Sequence, residues 1–243
     1  MLYGVFSDIH SNATAFKAVI KSMEEHGVQR RICLGDLVGY GVDANECVSL
    51  TKANADVSLI GNHDNVAIRF ESSVGFNPYA KQMIEWTQKE LSEESISYIK
   101  QLPYILEEND TTFVHASPMS PADWIYITDL EDAYDAFEYF NTSYCFVGHT
   151  HSPIIVTMRG GGAIPKVIEE SKYQVQGNER LLVNVGSVGQ PRDRNPDAAW
   201  CLFDTEAKSV EIVRVQYDIL ETQTRMRAQA VPEFLVERLG VGR

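Results

Sequence analysis

Basic side chains are scarce in this chain, where 21 Lys and Arg face 34 Asp and Glu for a net charge of −13. A protein that grips a nucleic-acid backbone needs clustered Lys and Arg to displace counterions, so nucleic acid is not an expected partner. An anionic substrate must then be attracted locally, which bound divalent cations can do inside a negative surface. Cysteine is scarce too: Cys33, Cys47, Cys145 and Cys201 lie far apart, with no C-x-x-C pair and no disulfide-dense framework. They read as small buried residues in a reducing cytosol. No run of about 18 apolar residues occurs, which excludes a transmembrane helix. The opening residues read as a strand leading straight into a polar motif, with no signal peptide. The expected setting is cytoplasmic, with no membrane partner.

What is present is enough for one large α/β domain, since 243 residues with 44% hydrophobic content can bury a full core. Leu2 to Phe6 is a short apolar run, and Ala13 to His26 puts Phe16, Val19, Ile20 and Met23 on one helical face before Gly27 stops it. His26, in that last turn, suits a helix-dipole contact. Arg31 to Leu34, Asp43 to Ala53 and Val57 to Ile60 continue the βαβαβ rhythm of a parallel sheet. Helical patterns over Asn77 to Leu91 and Ser92 to Leu102 suggest a helical insertion at residues 65–109. Thr111 to Val114, Tyr144 to Val147, Ile154 to Met158 and Leu181 to Val185 read as strands, with a helix over Asp129 to Phe140. The triplet Gly160 to Gly162 reads as a loop tip. Ala199 to Phe203 and Val210 to Val215 form an expected hairpin, and residues 219–243 a helical tail broken near Pro232.

There are only six histidines, and five of them, His10, His63, His115, His149 and His151, follow apolar β-like runs. In an open parallel sheet the loops beyond the carboxyl ends of the strands share one edge, so polar groups there converge. That brings together Asp8, His10, Asp36, Asn62, His63, Asp64, His115, His149 and His151, more carboxylate and imidazole than a neutral core tolerates. Divalent metal accounts for the set. Asp-x-His and His-x-His place two side chains on the same side of an extended segment. Imidazole with carboxylate and amide oxygen suits Mn, Fe, Zn or Ni, and no cysteines supply a closed structural zinc site. Seven ligands are too many for one such ion, whereas two ions sharing a carboxylate would use them all.

In order, D-x-H at 8 to 10, G-D at 35 to 36, G-N-H-D at 61 to 64, V-H at 114 to 115 and G-H-T-H at 148 to 151 resemble the calcineurin-like metallophosphoesterase superfamily. N-V-G-S-V-G-Q-P-R at 184 to 192 is similar to its small bacterial and archaeal phosphodiesterase-like branch. The resemblance implies a four-layer αββα sandwich, two mixed β-sheets flanked by helices, spanning residues 1–243. It implies that Asp8, His10 and His151 hold one metal, that Asn62, His115 and His149 hold the second, and that Asp36 bridges. It also implies in-line attack on phosphorus by a metal-bridging water or hydroxide, with His63 protonating the leaving oxygen.

The chain departs from the D-R-G triplet that many superfamily protein phosphatases carry after the bridging aspartate, having Gly39, Tyr40 and Gly41 instead. The orienting partner of His63 is thereby open between Asp64 and a main-chain carbonyl, and a protein Ser/Thr phosphatase is disfavoured. Tyr40 is a candidate substrate contact or a packing residue. Arg192 is a candidate phosphate clamp, since a guanidinium matches two phosphate oxygens, or else a surface ion-pair partner. The expected activity is hydrolysis of a small phosphodiester, phosphomonoester or nucleotide polyphosphate. The alternative is an inactive metal-binding scaffold on the same fold, because fold alone does not settle function. A nuclease is disfavoured by the acidic balance. The amphipathic tail allows a homodimer.

Overall fold

The computed structural model describes residues 1–69, 78–160 and 163–243. The first elements are β1 (Leu2–Phe6), α1 (Ala13–Glu25), β2 (Arg30–Cys33), α2 (Ala44–Asn54) and β3 (Val57–Ser58). β1 pairs parallel with β2, and β2 with β3, which is the expected βαβαβ unit. α1 starts where Asn12 accepts the Ala15 N–H at 3.1 Å, and it buries Phe16, Val19, Ile20 and Met23. His26 closes it, its Nδ1 donating to the Ser22 carbonyl at 2.8 Å.

α3 (Asn62–Arg69), α4 (Pro78–Glu90) and α5 (Glu93–Ile99) come next, followed by β4 (Ile105–Glu108), β5 (Thr111–Val114), α6 (Leu130–Phe137) and β6 (Tyr144–Val147). Then come β7 (Ile154–Met158), β8 (Lys166–Ile168), β9 (Lys172–Gln174), β10 (Arg180–Asn184), β11 (Ala198–Asp204) and β12 (Ser209–Val215). α7 (Ile219–Ala228), α8 (Glu233–Glu237) and a 3-10 turn over Arg238–Gly240 finish the chain, with Pro232 capping α8 as the break in the tail requires.

The strands form two mixed six-stranded sheets, ordered β3-β2-β1-β11-β12-β9 and β4-β5-β6-β10-β7-β8, in a four-layer αββα sandwich. Strand alternation decides which residues fill each layer. Tyr3 and Val5 point into the layer between the sheets with Phe113, Phe146, Leu181, Val183 and Phe203, whereas Phe6 turns outward onto Phe16. The outer face of the second sheet is covered by α6 through Ala133, Ala136 and Phe137. The tail packs Met226, Leu235, Val236 and Leu239 against Tyr40. All four cysteines are buried free thiols. Among the described residues no helix is long and apolar enough to cross a membrane.

Two expectations need correction. The segment at 65–109 is not helical throughout, because β4 pairs antiparallel with β5 around Asn109 and Asp110. Both turn residues have positive φ, 48° and 60°, the conformation that a two-residue hairpin turn demands and that Asn and Asp tolerate. Helix α3 also begins earlier, at Asn62. Strands β8 and β9 were not anticipated; each has three residues and mostly exposed side chains, so neither carries an apolar alternation. The expectations for Asn77 and for residues 161–162 of the loop tip lie outside the described residues.

Candidate metal centre

The polar segments meet at one edge, where β1, β2, β5 and β6 end and α3 begins. The loops brace each other through the main chain. The Asp8 N–H donates to Gly35 O and the His10 N–H to Asp36 O, both at 3.0 Å, and the Gly148 N–H donates to His115 O at 2.8 Å. Asp8 also accepts the His149 N–H at 3.0 Å, joining the two sheets. The Asp-x-His and His-x-His pairs are not extended, as spacing alone suggested. Asp8, His10, Asp36, His149 and His151 have φ of 56°, 49°, 54°, 67° and 60°. Each left-handed non-glycine residue costs about 1–2 kcal/mol, so the surrounding bonds have to impose it.

Asp8, His10, Asp36, His115, His149 and His151 are all buried. His10 Nδ1 lies 3.0 Å from Val38 O, and His151 Nδ1 lies 2.6 Å from Gln190 O. Facing carbonyl oxygens, both Nδ1 atoms carry the proton, which leaves both Nε2 lone pairs turned inward. Those two Nε2 atoms are 3.0 Å apart. Two lone pairs at that distance repel unless they share a cation. Asp8 Oδ1, itself buried without a hydrogen-bond partner, lies 3.6 Å from His10 Nε2 and 3.3 Å from His151 Nε2.

A second cluster adjoins the first. Asp36 Oδ2 is 3.5 Å from His10 Nε2 and 3.5 Å from His115 Nε2, so this carboxylate stands between the two. Asn62 Oδ1 lies 3.2 Å from His115 Nε2, and His149 Nε2 is buried without a hydrogen-bond partner. Asp8, His10 and His151 form one group able to hold a metal, and Asp36, His115 and His149 form another. Burial alone would raise the Asp36 pKa, but the imidazoles of His115, His63 and His10 outweigh it and hold the carboxyl below its ordinary range. Burial, then His115, pushes His149 down to about 4, and burial with Arg192 and His10 lowers His151. Ionised Asp36 and neutral His149 and His151 are in forms that bind metal, whereas His115 is raised to about 9, burial being outweighed by Asp36, so it has a proton to give up to a bound cation.

His63 lies beside this pair, its ring centroid 4.8 Å from that of His10, and it joins His10 and Asp36 in a third possible ligand group. Asp64, a candidate partner for it, is committed to the loop: Oδ1 accepts the Leu37 and Val38 N–H groups at 2.9 and 3.2 Å, and Oδ2 accepts the Gly61 N–H at 3.1 Å. Tyr40 is buried, its ring packed 4.7 Å from that of His10 and 4.6 Å from that of His63. Arg192 reaches the same corner, its guanidinium carbon 5.5 Å from the Tyr40 centroid and its terminal N–H donating to Gln190 Oε1 at 2.9 Å. Among the described residues it is in no ion pair; the neighbouring Asp193 binds Arg214 instead. In the preceding turn, a Cβ on Gly189 would come 1.8 Å from Ile9 O, so that glycine serves backbone approach.

The loop after β5 carries residues that sequence reasoning missed. Tyr126 stacks on His149 with centroids 3.9 Å apart while half exposed, and Trp124 meets His115 edge-on at 5.9 Å. Their only sequence signal is a pair of aromatics two residues apart in a proline-containing loop. Tyr79, Trp86 and Tyr98 sit elsewhere: Tyr79 stacks on Phe234, Trp86 packs under the tail and Tyr98 bonds Ser58.

Two facing mixed sheets with a buried carboxylate–imidazole cluster at their strand ends define a metal-dependent phosphoesterase, a hydrolase of phosphoric ester bonds. The chain belongs to the calcineurin-like phosphoesterase superfamily, whose domain matches residues 1–208. It is 39% identical to an uncharacterised protein of Methanocaldococcus jannaschii over all of this chain and 98% of that one. It is similar to the crystal structure of a metallophosphoesterase from Sphaerobacter thermophilus, with a TM-score of 0.87 and 38% identity over 100% and 99% of the two chains. A hypothetical protein from Pyrococcus horikoshii shares the fold, with a TM-score of 0.79 and 19% identity over 100% and 98%.

Proposed function

We propose that the chain hydrolyses a small phosphodiester, phosphomonoester or nucleotide polyphosphate at a two-metal centre. Asp8, His10 and His151 would hold one ion and Asn62, His115 and His149 the other, with Asp36, which stands between the two groups, available to both. The observation that carries this is the inward pair of His10 and His151 Nε2 atoms, 3.0 Å apart beside the unpartnered Asp8 Oδ1. Mn, Fe, Zn or Ni suits these donors. Two such cations, when bound, supply Lewis acidity and a water of lowered pKa.

The chain's own residues do the rest. Main-chain bonds between the loops hold the ligands in place before substrate arrives, so little reorganisation accompanies the reaction. His63 is the proton donor to the leaving oxygen; burial lowers its pKa, and the anionic substrate beside it favours the imidazolium. Tyr40 fixes the imidazoles by packing, and Arg192 meets phosphate oxygens. Four buried free thiols support a cytoplasmic setting.

The test is a panel of mononucleotides, cyclic nucleotides, dinucleoside polyphosphates and simple diesters assayed under Mn, compared by kcat/KM. Turnover of bis-p-nitrophenyl phosphate, lost in Asp36→Asn, is the expected result. Binding of two metals with no turnover of any phosphate ester would overturn the reading in favour of a scaffold.

A further inference from the structure

We propose that Gln190 is a positioning residue that holds the Arg192 guanidinium for the substrate phosphate while leaving its positive charge unneutralised. The inference rests on the phosphoester reading above and deepens it, by naming the residue that controls the anion affinity of that site.

Gln190, Pro191 and Arg192 belong to the segment after β10, and a proline restrains both its own φ and the residue before it towards extended backbone. Residues 190 and 192 can then share one side of the segment. Both are tied to the same metal ligand: Gln190 O lies 2.6 Å from His151 Nδ1, and the Arg192 N–H donates to His151 O at 3.1 Å. Gln190 is linked to a second ligand as well, since its N–H donates at 2.8 Å to Ser187 Oγ, which donates at 2.8 Å to Asp8 O. Its side chain is buried, and its Oε1 accepts from the Arg192 terminal N–H at 2.9 Å. The guanidinium carbon so held stands 5.5 Å from the centroid of the Tyr40 ring, which is itself 4.7 Å from that of His10 and 4.6 Å from that of His63.

The group that holds Arg192 is neutral. Arg30 is held by Glu108, Arg214 by Asp193, and Arg225 by Asp43 and Glu46, and each of those pairs cancels the cation. Among the described residues no carboxylate lies within ion-pair distance of Arg192, so its amide partner orients it without neutralising it. In a chain of net charge −13, that keeps one cation available to an anionic substrate. A guanidinium has only donors, so Gln190 Oε1 must face it and Nε2 must turn away. Gln190 Nε2 and Arg192 Nε are both buried without a hydrogen-bond partner. Two unused buried donors on joined side chains match a ligand with several acceptor oxygens, and a phosphoryl group is such a ligand.

The experiment measures binding of inorganic phosphate to the Mn-loaded full chain by calorimetry, which does not depend on turnover. Gln190→Glu keeps the shape and the oxygen that faces Arg192 but neutralises the guanidinium, and Gln190→Met keeps the length but removes the contact. Phosphate affinity is expected to fall about tenfold or more in Gln190→Glu and about threefold in Gln190→Met, with both metals retained by elemental analysis. KM for bis-p-nitrophenyl phosphate should rise in the same proportion, with kcat changed less than about threefold. In an Arg192→Met background neither substitution should change phosphate affinity by more than about twofold. A merely structural role predicts the opposite order, because a carboxylate grips a guanidinium more tightly than an amide does. Unchanged phosphate affinity in the Gln190 variants, equal losses with and without Arg192, or loss of a metal would overturn the proposal. If Gln190→Glu does not fold, Gln190→Met and its combination with Arg192→Met decide the matter alone. Phosphate binding that depends on Gln190 through Arg192, in a protein that hydrolyses no ester, would uphold the positioning role and overturn the hydrolase reading instead.

Discussion

Asp36 Oδ1 accepts the main-chain N–H of His63 at 2.9 Å, so the carboxylate placed between the two imidazole groups also positions the proposed proton donor. Asp36→Asn keeps an oxygen for that N–H but removes the charge two cations would share. The expected outcome is loss of at least one bound metal by elemental analysis and a kcat reduced by about 100-fold or more, with the fold intact. Full metal content with full turnover would remove Asp36 from the centre.

If His63 gives a proton to the leaving oxygen, its importance depends on how much that oxygen needs one. For His63→Ala, kcat should fall about 10²–10⁴-fold on an ester with an alkyl alcohol leaving group. Release of p-nitrophenolate, a stable anion, should suffer much less. A loss independent of leaving-group pKa would assign His63 to metal or substrate positioning.

These roles differ in how far they can be read from residues alone. The ligands stand out because each follows an apolar run that ends at the same sheet edge, and a strand's pattern is local. Asp8 and His10 are therefore legible as a pair, but their left-handed backbone is not, since contacts with Gly35 and Asp36, remote in sequence, impose it. The hairpin at Asn109 and Asp110 was readable in principle from two residues that tolerate positive φ, yet the surrounding helical patterns obscured it. Tyr126 was not legible: a loop aromatic carries no periodicity, and only tertiary packing brings it to the cluster.

Gly39 stands where the D-R-G triplet would begin, at φ 94°, and a Cβ there would lie 2.4 Å from His63 Nδ1. Gly39→Ala should therefore displace His63 and depress kcat while both metals remain bound. Gly27 separates strain from collision, because its φ is 68° with nothing within 4 Å of a built Cβ. Gly27→Ala should cost about 1–2 kcal/mol in urea unfolding with unchanged activity. Equal activity in the two variants would show that the contact with His63 has no catalytic consequence.

The two sheets are also joined far from the metals, where Arg30 on β2 makes a bidentate pair with Glu108 on β4 at 2.9 and 2.8 Å. The Arg30 hydrogen bond holds the Glu108 carboxyl below its ordinary range, with burial opposing it. A folded-state pKa below the unfolded value means that the stabilisation is fully present above about pH 4.3, the unfolded reference, and fades as pH falls through the folded value. Glu108→Gln preserves shape and removes the charge, so at pH 7 it should lower unfolding stability by about 1 kcal/mol, allowing for partial solvent screening. Urea unfolding of both proteins between pH 7 and pH 3 should show that difference shrinking in acid, since the wild-type carboxyl is then protonated as well. A difference that stayed constant, or grew, would mean that the pair joins the sheets through shape and neutral hydrogen bonding, with no contribution from its charge.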